Sequence, residues 1–152
     1  MKRFLQSLLI VPICLACLCS QVFAADDLPT PTAEKIAEWR KDAEKGDAKA
    51  QFNLGISYEN GKGVPKDFME AAKWYQKAAD QGHDGAQYNL GVCYAKGEGV
   101  PKDMVMAYMW FKLSSANGYK DSPRLRDLVA ELMTPEQIAE AQKLSREWKP
   151  RK

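Results

Sequence analysis

Histidine occurs once in this chain, as His83, and cysteine four times, three of them (Cys14, Cys17 and Cys19) crowded into the amino-terminal segment. A general base needs a nucleophile or a metal co-ligand within reach. A lone imidazole following Gly82, in the slot that Asp47 holds earlier in the chain, reads instead as a surface turn residue. No charge sign dominates, with 22 Lys and Arg against 20 Asp and Glu, so nothing argues for nucleic acid or an anionic membrane as partner. The carboxylates are scattered, many at helical spacing from a lysine, and read as solvated faces. No glycine-rich loop joins a strand to a helix. The Gly-x-Gly pairs end helices, so a dinucleotide reading fails on context.

The first segment accounts for most of the cysteine. Met1-Lys2-Arg3 is a basic start, Phe4 to Cys19 is mostly apolar, and Val22-Phe23-Ala24 offers a small-residue cleavage site. That order is a secretory signal peptide, 1–24, cleaved after Ala24, with a periplasmic or secreted mature chain and no stable membrane insertion once it is removed. A membrane anchor would need ~20 apolar residues; this run is shorter and holds Gln6 and Pro12. Lipid attachment at Cys17 is weakly signalled: Ala16 suits it, but Cys14 stands where such signals carry leucine. Loss of Lys2 and Arg3 lowers the basic count from 22 to 20, equal to the acids. Only Cys93 remains, so no internal disulfide can form. It replaces Ser57 of the earlier copy and reads as a small, inert, partly buried thiol, since nothing electropositive is fixed beside it. About 128 residues are left, enough for one unstapled core.

What the chain does have is a phrase written twice. Gly63-Val64-Pro65-Lys66-Asp67 returns as Gly99-Val100-Pro101-Lys102-Asp103. Around it, Gly46, Gly82 and Gly118 recur at the same spacing, as do Ala50-Gln51 with Ala86-Gln87, Asn53-Leu54-Gly55 with Asn89-Leu90-Gly91, Tyr58 with Tyr94, and Ala71 and Trp74 with Ala107 and Trp110. Self-similarity at this period is the signature of a stacked-repeat solenoid.

Each unit reads as two helices. From Asp47 to Asn60, Ala50, Leu54 and Tyr58 share one face, with Gln51 and Gly55 at its edge. Gly61 and Gly97 end the first helices and should be left-handed, where glycine is cheapest. Pro65 holds Val64 extended, and Asp67 caps the next helix, with Glu70 placed to complete a capping box. In the second helix, Phe68 to about Gln81, Ala71, Trp74, Tyr75, Ala78 and Ala79 form one apolar arc, and the repeating tryptophan reads as core filling a helix–helix groove. The ends are degenerate copies. A capping helix spans 32–45 with Ile36 and Trp39, and a closing unit, 118–148, runs through Leu125, Leu128, Val129 and Leu132 to a helix begun by Thr134-Pro135-Glu136-Gln137. Between them lie repeat one (46–81) and repeat two (82–117), so the solenoid covers 32–148, flanked by a flexible segment 25–31 and a tail 149–152. The expected fold is all-α: a right-handed solenoid of antiparallel helix pairs, about seven helices in all.

These motifs, Ala-Gln-x-Asn-Leu-Gly-x-x-Tyr, the Gly-x-Gly-Val turn and Ala-x-x-Trp, resemble the Sel-1-like repeat family, a relative of the tetratricopeptide repeat. The resemblance implies a scaffold or adaptor that binds proteins along a curved surface, with no general catalytic residues and no cofactor. A cysteine-rich branch of that family is associated with penicillin binding or β-lactamase activity, but its units carry paired cysteines, which this chain lacks. In such solenoids the first helix of each unit lines the concave face. Here the arc opposite its core stripe holds Lys49, Phe52, Ile56, Glu59 and Asn60 in one unit and Gly85, Tyr88, Val92, Ala95 and Lys96 in the next, with Asn53 and Asn89 at the margin. Phe52 over Tyr88 and Ile56 over Val92 form a ladder that reads as a partner-binding patch, with Lys49, Glu59 and Lys96 as rim. The competing role for the same residues is packing between units. The expected function is therefore an exported protein- or peptide-binding adaptor. The alternatives are an immunity or inhibitor protein neutralising an exported toxin and, from another class, a cell-wall or β-lactam hydrolase.

Overall fold

The computed structural model describes residues 30–151. The leader, its cleavage site, Cys14, Cys17, Cys19 and residues 25–29 lie outside the described residues. Among those described there are seven helices and no strand: α1 (Ala33–Glu44), α2 (Ala48–Asn60), α3 (Phe68–Asp80), α4 (Asp84–Lys96), α5 (Met104–Ala116), α6 (Ser122–Ala130) and α7 (Pro135–Glu147). Successive helices pack on one another from α1 to α6, and α7 packs back on α5. The result is the helical-repeat solenoid that the period demands. None of these helices is long and apolar enough to cross a membrane.

The repeated phrases have separate mechanical tasks. Gly61 and Gly97 end α2 and α4 at φ 67° and 76°, the left-handed geometry that a side chain resists. Gly99, two residues on, meets a second constraint. It lies against the start of α3, where an added Cβ would stand 2.0 Å from the Phe68 carbonyl oxygen. The turn of one unit is thus laid directly on the backbone of the unit before it. The Ala-Gln motif staples units as well. Gln51 Nε2 donates to the Ala43 carbonyl at 3.0 Å and Gln87 Nε2 to that of Ala79 at 3.2 Å, while their side-chain oxygens accept from Gln81 and Asn117 of the same repeats. Gly55 and Gly91, inside helices where glycine costs about 1 kcal/mol, seat the rings of Tyr75 and Phe111. A Cβ would meet those rings at 2.4 Å and 2.8 Å.

Several expectations need correction. Asp67 does cap α3, accepting from Met69 and Glu70 backbone nitrogens, but the capping box is absent. The Asp67 N–H already donates to the Tyr58 carbonyl at 2.9 Å, and Glu70 turns outward to Lys73. The second-helix tryptophans are not alike. Trp110 is 2% exposed, whereas Trp74 is only half-buried, with the Lys77 ammonium 4.3 Å from its ring centre. Gln51 sits fully in the core rather than at its edge, and Tyr58 is half-buried, its hydroxyl accepting from Arg40. In the closing unit Val129 is buried and Leu125 half-buried, but Leu128 and Leu132 are 47% and 72% exposed.

The helix α5 explains the closing geometry. Ala107 to Phe111 are five consecutive buried residues, and a helix apolar all round must be enclosed. It packs against α4, α6 and α7. Ser122 at the start of α6 donates to Ser114 of α5 at 2.7 Å, and Ser114 to the Asp84 carbonyl at 2.8 Å. Thr134 and Gln137 form the expected capping box at the start of α7. At its far end Trp148 packs edge-on to Trp110, ring centres 6.2 Å apart, and Arg151 ties the tail to Asp80, N–H to carbonyl at 2.7 Å.

Candidate functional site

The first helices, α2 and α4, carry every residue of the expected ladder, and the structure gives each a distinct environment. Lys49 and Lys96 are exposed; Phe52, Asn53, Ile56, Glu59, Tyr88, Asn89 and Val92 are half-buried. Phe52 stacks on His83 at 4.5 Å between ring centres and leans on Tyr75 at 6.0 Å. One repeat later, Tyr88 stacks on Tyr119 at 4.6 Å and leans on Phe111 at 5.8 Å. The two trios are equivalent slot by slot. Each places a ring of a first helix between the second helix of its own unit and the first residue pair of the next. The ladder residues are therefore joints between units on one side and surface on the other, so both roles weighed from the sequence fall on the same rings.

His83 is more than a turn residue. Its Nδ1 accepts from the Ala86 N–H at 3.2 Å, capping α4, as Asp47 caps α2. Burial under Phe52 holds it below its ordinary pKa, against the opposing pull of Asp84 and Asp47. Nothing in the sequence announced the stack, since its partner lies a helix away. Glu59 is not a free rim charge either: the Tyr75 hydroxyl donates to it at 2.5 Å. Burial first, then Glu59, pushes the Tyr75 phenol well up. Cys93 is buried, and that burial, with Glu59 and Glu98 nearby, pushes its thiol up to about 12. It is protonated at neutral pH and is a packing residue, not a nucleophile. Among the described residues, no three His, Cys, Asp or Glu come together to hold a metal.

Open grooves break the surface of the described residues. One, of about 440 Å³, lies along α3 between Met69, Lys73, Trp74 and Lys77 and the turn at Gly99 and Val100. A second, of about 320 Å³, lies at the closing end where α4, α5 and α6 meet. Val92 and Lys96 of the ladder line this second groove, with Phe111, Leu125, Leu128 and Leu132. Sequence reasoning found the α4 wall and missed the α6 wall, because it placed the α6 leucines in the closing unit without giving them a face. The arrangement offers shaped apolar surface with lysines at its edges, which suits binding.

Known proteins share this architecture. The Sel1 repeat family matches residues 48–83 and 85–119. A protective antigen of uropathogenic Escherichia coli displaying an SLR fold is similar at 39% identity and a TM-score of 0.74, over 76% of this chain and 25% of that one. A Sel1 repeat protein from Oxalobacter formigenes is similar at 38% identity and a TM-score of 0.62, over 63% of this chain and 40% of that one. Cysteine-rich protein B of Helicobacter pylori is similar at 29% identity and a TM-score of 0.58, over 60% of this chain and 69% of that one. The chain thus spans about a quarter and two fifths of the length of the first two. No curated protein matches it.

Proposed function

From the premise that a chain carrying two Sel1 repeats is a Sel1-repeat protein, of a family whose members are typically protein-interaction scaffolds, we propose that this one is an exported adaptor, not an enzyme, that holds a protein or peptide partner on its first-helix face. The observation that carries the reading is the run of half-buried apolar side chains, Phe52, Ile56, Tyr88 and Val92, along α2 and α4. It reaches the groove at the closing end, where Val92 is a wall. Continuous apolar surface rimmed by polar residues marks an interaction site. The scaffold reading is supported further by the raised Cys93 thiol and by the occupation of His83 as a helix cap. Export is supported by the basic, apolar and small-residue order of residues 1–24.

The test is affinity capture from the periplasm with the tagged exported chain, whose intact mass should begin at Ala25. Ile56→Asp on the first-helix face should abolish capture of the partner, while Ala139→Asp, on the exposed side of α7, should leave it intact. The reverse pattern would move the partner to the closing helix. One tight stoichiometric partner would favour an inhibitor or immunity role over a general adaptor.

A further inference from the structure

The two repeats differ at one corner of the fold. In repeat one, where α2, α3 and α4 meet, the corner is polar and closed on itself. Tyr75 donates to Glu59, Asn89 stands beside the same hydroxyl, and Phe68 lies 4.6 Å under the Lys66 ammonium. One repeat later the slots of Glu59, Tyr75, Asn89 and Phe68 hold Ala95, Phe111, Leu125 and Met104. The hydrogen-bonding groups of Glu59, Tyr75 and Asn89 have gone, and Ala95 and Met104 are smaller than the Glu59 and Phe68 they replace. The corner stands open as the 320 Å³ groove, with Leu128 and Leu132 exposed on its α6 wall.

A polar pair replaced by apolar groups in a filled core is close to neutral in free energy. An open apolar corner is different, because it leaves hydrophobic surface in water at roughly 25 cal/mol per Å². Such a surface on a soluble protein marks a site that something covers. The rim says what. Its two charged lining residues are Lys96 and Lys102, and no acid lines it. Lys102 makes no salt bridge among the described residues, and Lys96 meets only Glu98, at 3.7 Å with both side chains exposed, a contact worth little. The volume sits at the small end of ligand-sized clefts, roughly 300–1,000 Å³, so it admits one or two side chains rather than a domain.

We propose that this groove seats the leucine, isoleucine or phenylalanine anchor of an acidic peptide segment from a partner protein, with Lys96 and Lys102 pairing the acids that flank the anchor. This rests on the scaffold reading and gives it a place and a charge. Apolar anchors in a groove set the affinity, and rim charges set which sequences are accepted.

The test is selection of a displayed library of random twelve-residue peptides on the immobilised chain. The expected survivors carry Leu, Ile or Phe flanked by Asp or Glu. A survivor, synthesised and followed by fluorescence anisotropy, should lose at least tenfold in affinity with Leu132→Glu, an exposed position whose change should leave the melting temperature unmoved. With the double change Lys96→Glu and Lys102→Glu the selection should turn to basic flanks. Survivors without acidic flanks, an empty selection, or binding untouched by Leu132→Glu would overturn the proposal. So would sedimentation showing a dimer that Leu132→Glu dissociates, which would make the occupant a second copy. Failure of the scaffold reading looks different: no periplasmic partner would depend on Ile56, whatever peptides the groove selects.

Discussion

The second helices of the two repeats, α3 and α5, begin from the same turn, the same aspartate cap and the same tryptophan slot, yet one is a surface helix and the other is the centre of the molecule. In α3, Lys73 and Lys77 leave one side in water, and Trp74 is half-buried beneath Lys77. In α5 the corresponding positions are Met109 and Leu113, Trp110 is enclosed, and Trp148 of α7 stands against it. The repeat motif thus specifies how a helix is started, stopped and stapled to its neighbours. What lies on its remaining side is specified by the residues that the motif leaves free. The first-helix corners teach the same lesson with the burden reversed: there repeat one is self-satisfied and repeat two is open.

Breaking the tryptophan pair should give the largest difference. Trp110→Ala should cost about 3–5 kcal/mol, as for a fully buried aromatic, and Trp74→Ala about 1–2 kcal/mol, since a half-buried ring loses correspondingly less area. Urea unfolding of both variants measures this, and equal losses would erase the distinction between α3 and α5. The turns sharpen it next. Gly99→Ala combines a left-handed φ of 74° with a backbone collision at Phe68, so about 2–4 kcal/mol is expected. Gly46→Ala, at φ 98° with nothing near its Cβ, should lose only about 1 kcal/mol. A smaller effect follows from the joints. Phe52→Ala removes one stacked, half-buried ring and should cost about 1–2 kcal/mol, visible as a lowered melting temperature. An unmoved melting temperature would make the ring a free binding anchor.

The smallest effect separates the two helix caps, Asp47 and His83. His83 must be neutral to accept the Ala86 N–H, and burial holds its pKa below the ordinary 6.5. The unfolded chain therefore takes up the proton first. Stability is full above about pH 6.5 and falls as the pH drops below it toward the folded value. Thermal melts between pH 7.5 and 5 should show this dependence, and His83→Asp, which copies the cap of repeat one, should remove His83's part of it.

Much of the fold was legible because its instructions are local. Gly61, Pro65 and Asp67 act within a few residues of themselves, and a repeated phrase reveals a repeated unit whatever the rest does. The rest depends on partners distant in the chain. Glu70 was expected to close a capping box, but Tyr58, from the preceding helix, already holds the N–H it would have bonded. Leu128 and Leu132 have the spacing of a core stripe, and only the packing of α6 on α5 decides that they face outward. The ladder was legible as a set of residues on one face. That its rings could also join the units was legible as a competing role, but the residues they meet were not, because His83 and Tyr119 reach them from the following repeat.

Site-specific photocrosslinking in this chain tests the central claim most directly. A photoreactive phenylalanine at position 92, on the first-helix face, and at position 73, on α3, would compare the two sides of the solenoid. The account predicts a discrete protein adduct from position 92, lost with Leu132→Glu, and none from position 73. An adduct from position 73 alone would contradict it and place the partner on the second-helix side, over Met69 and Trp74.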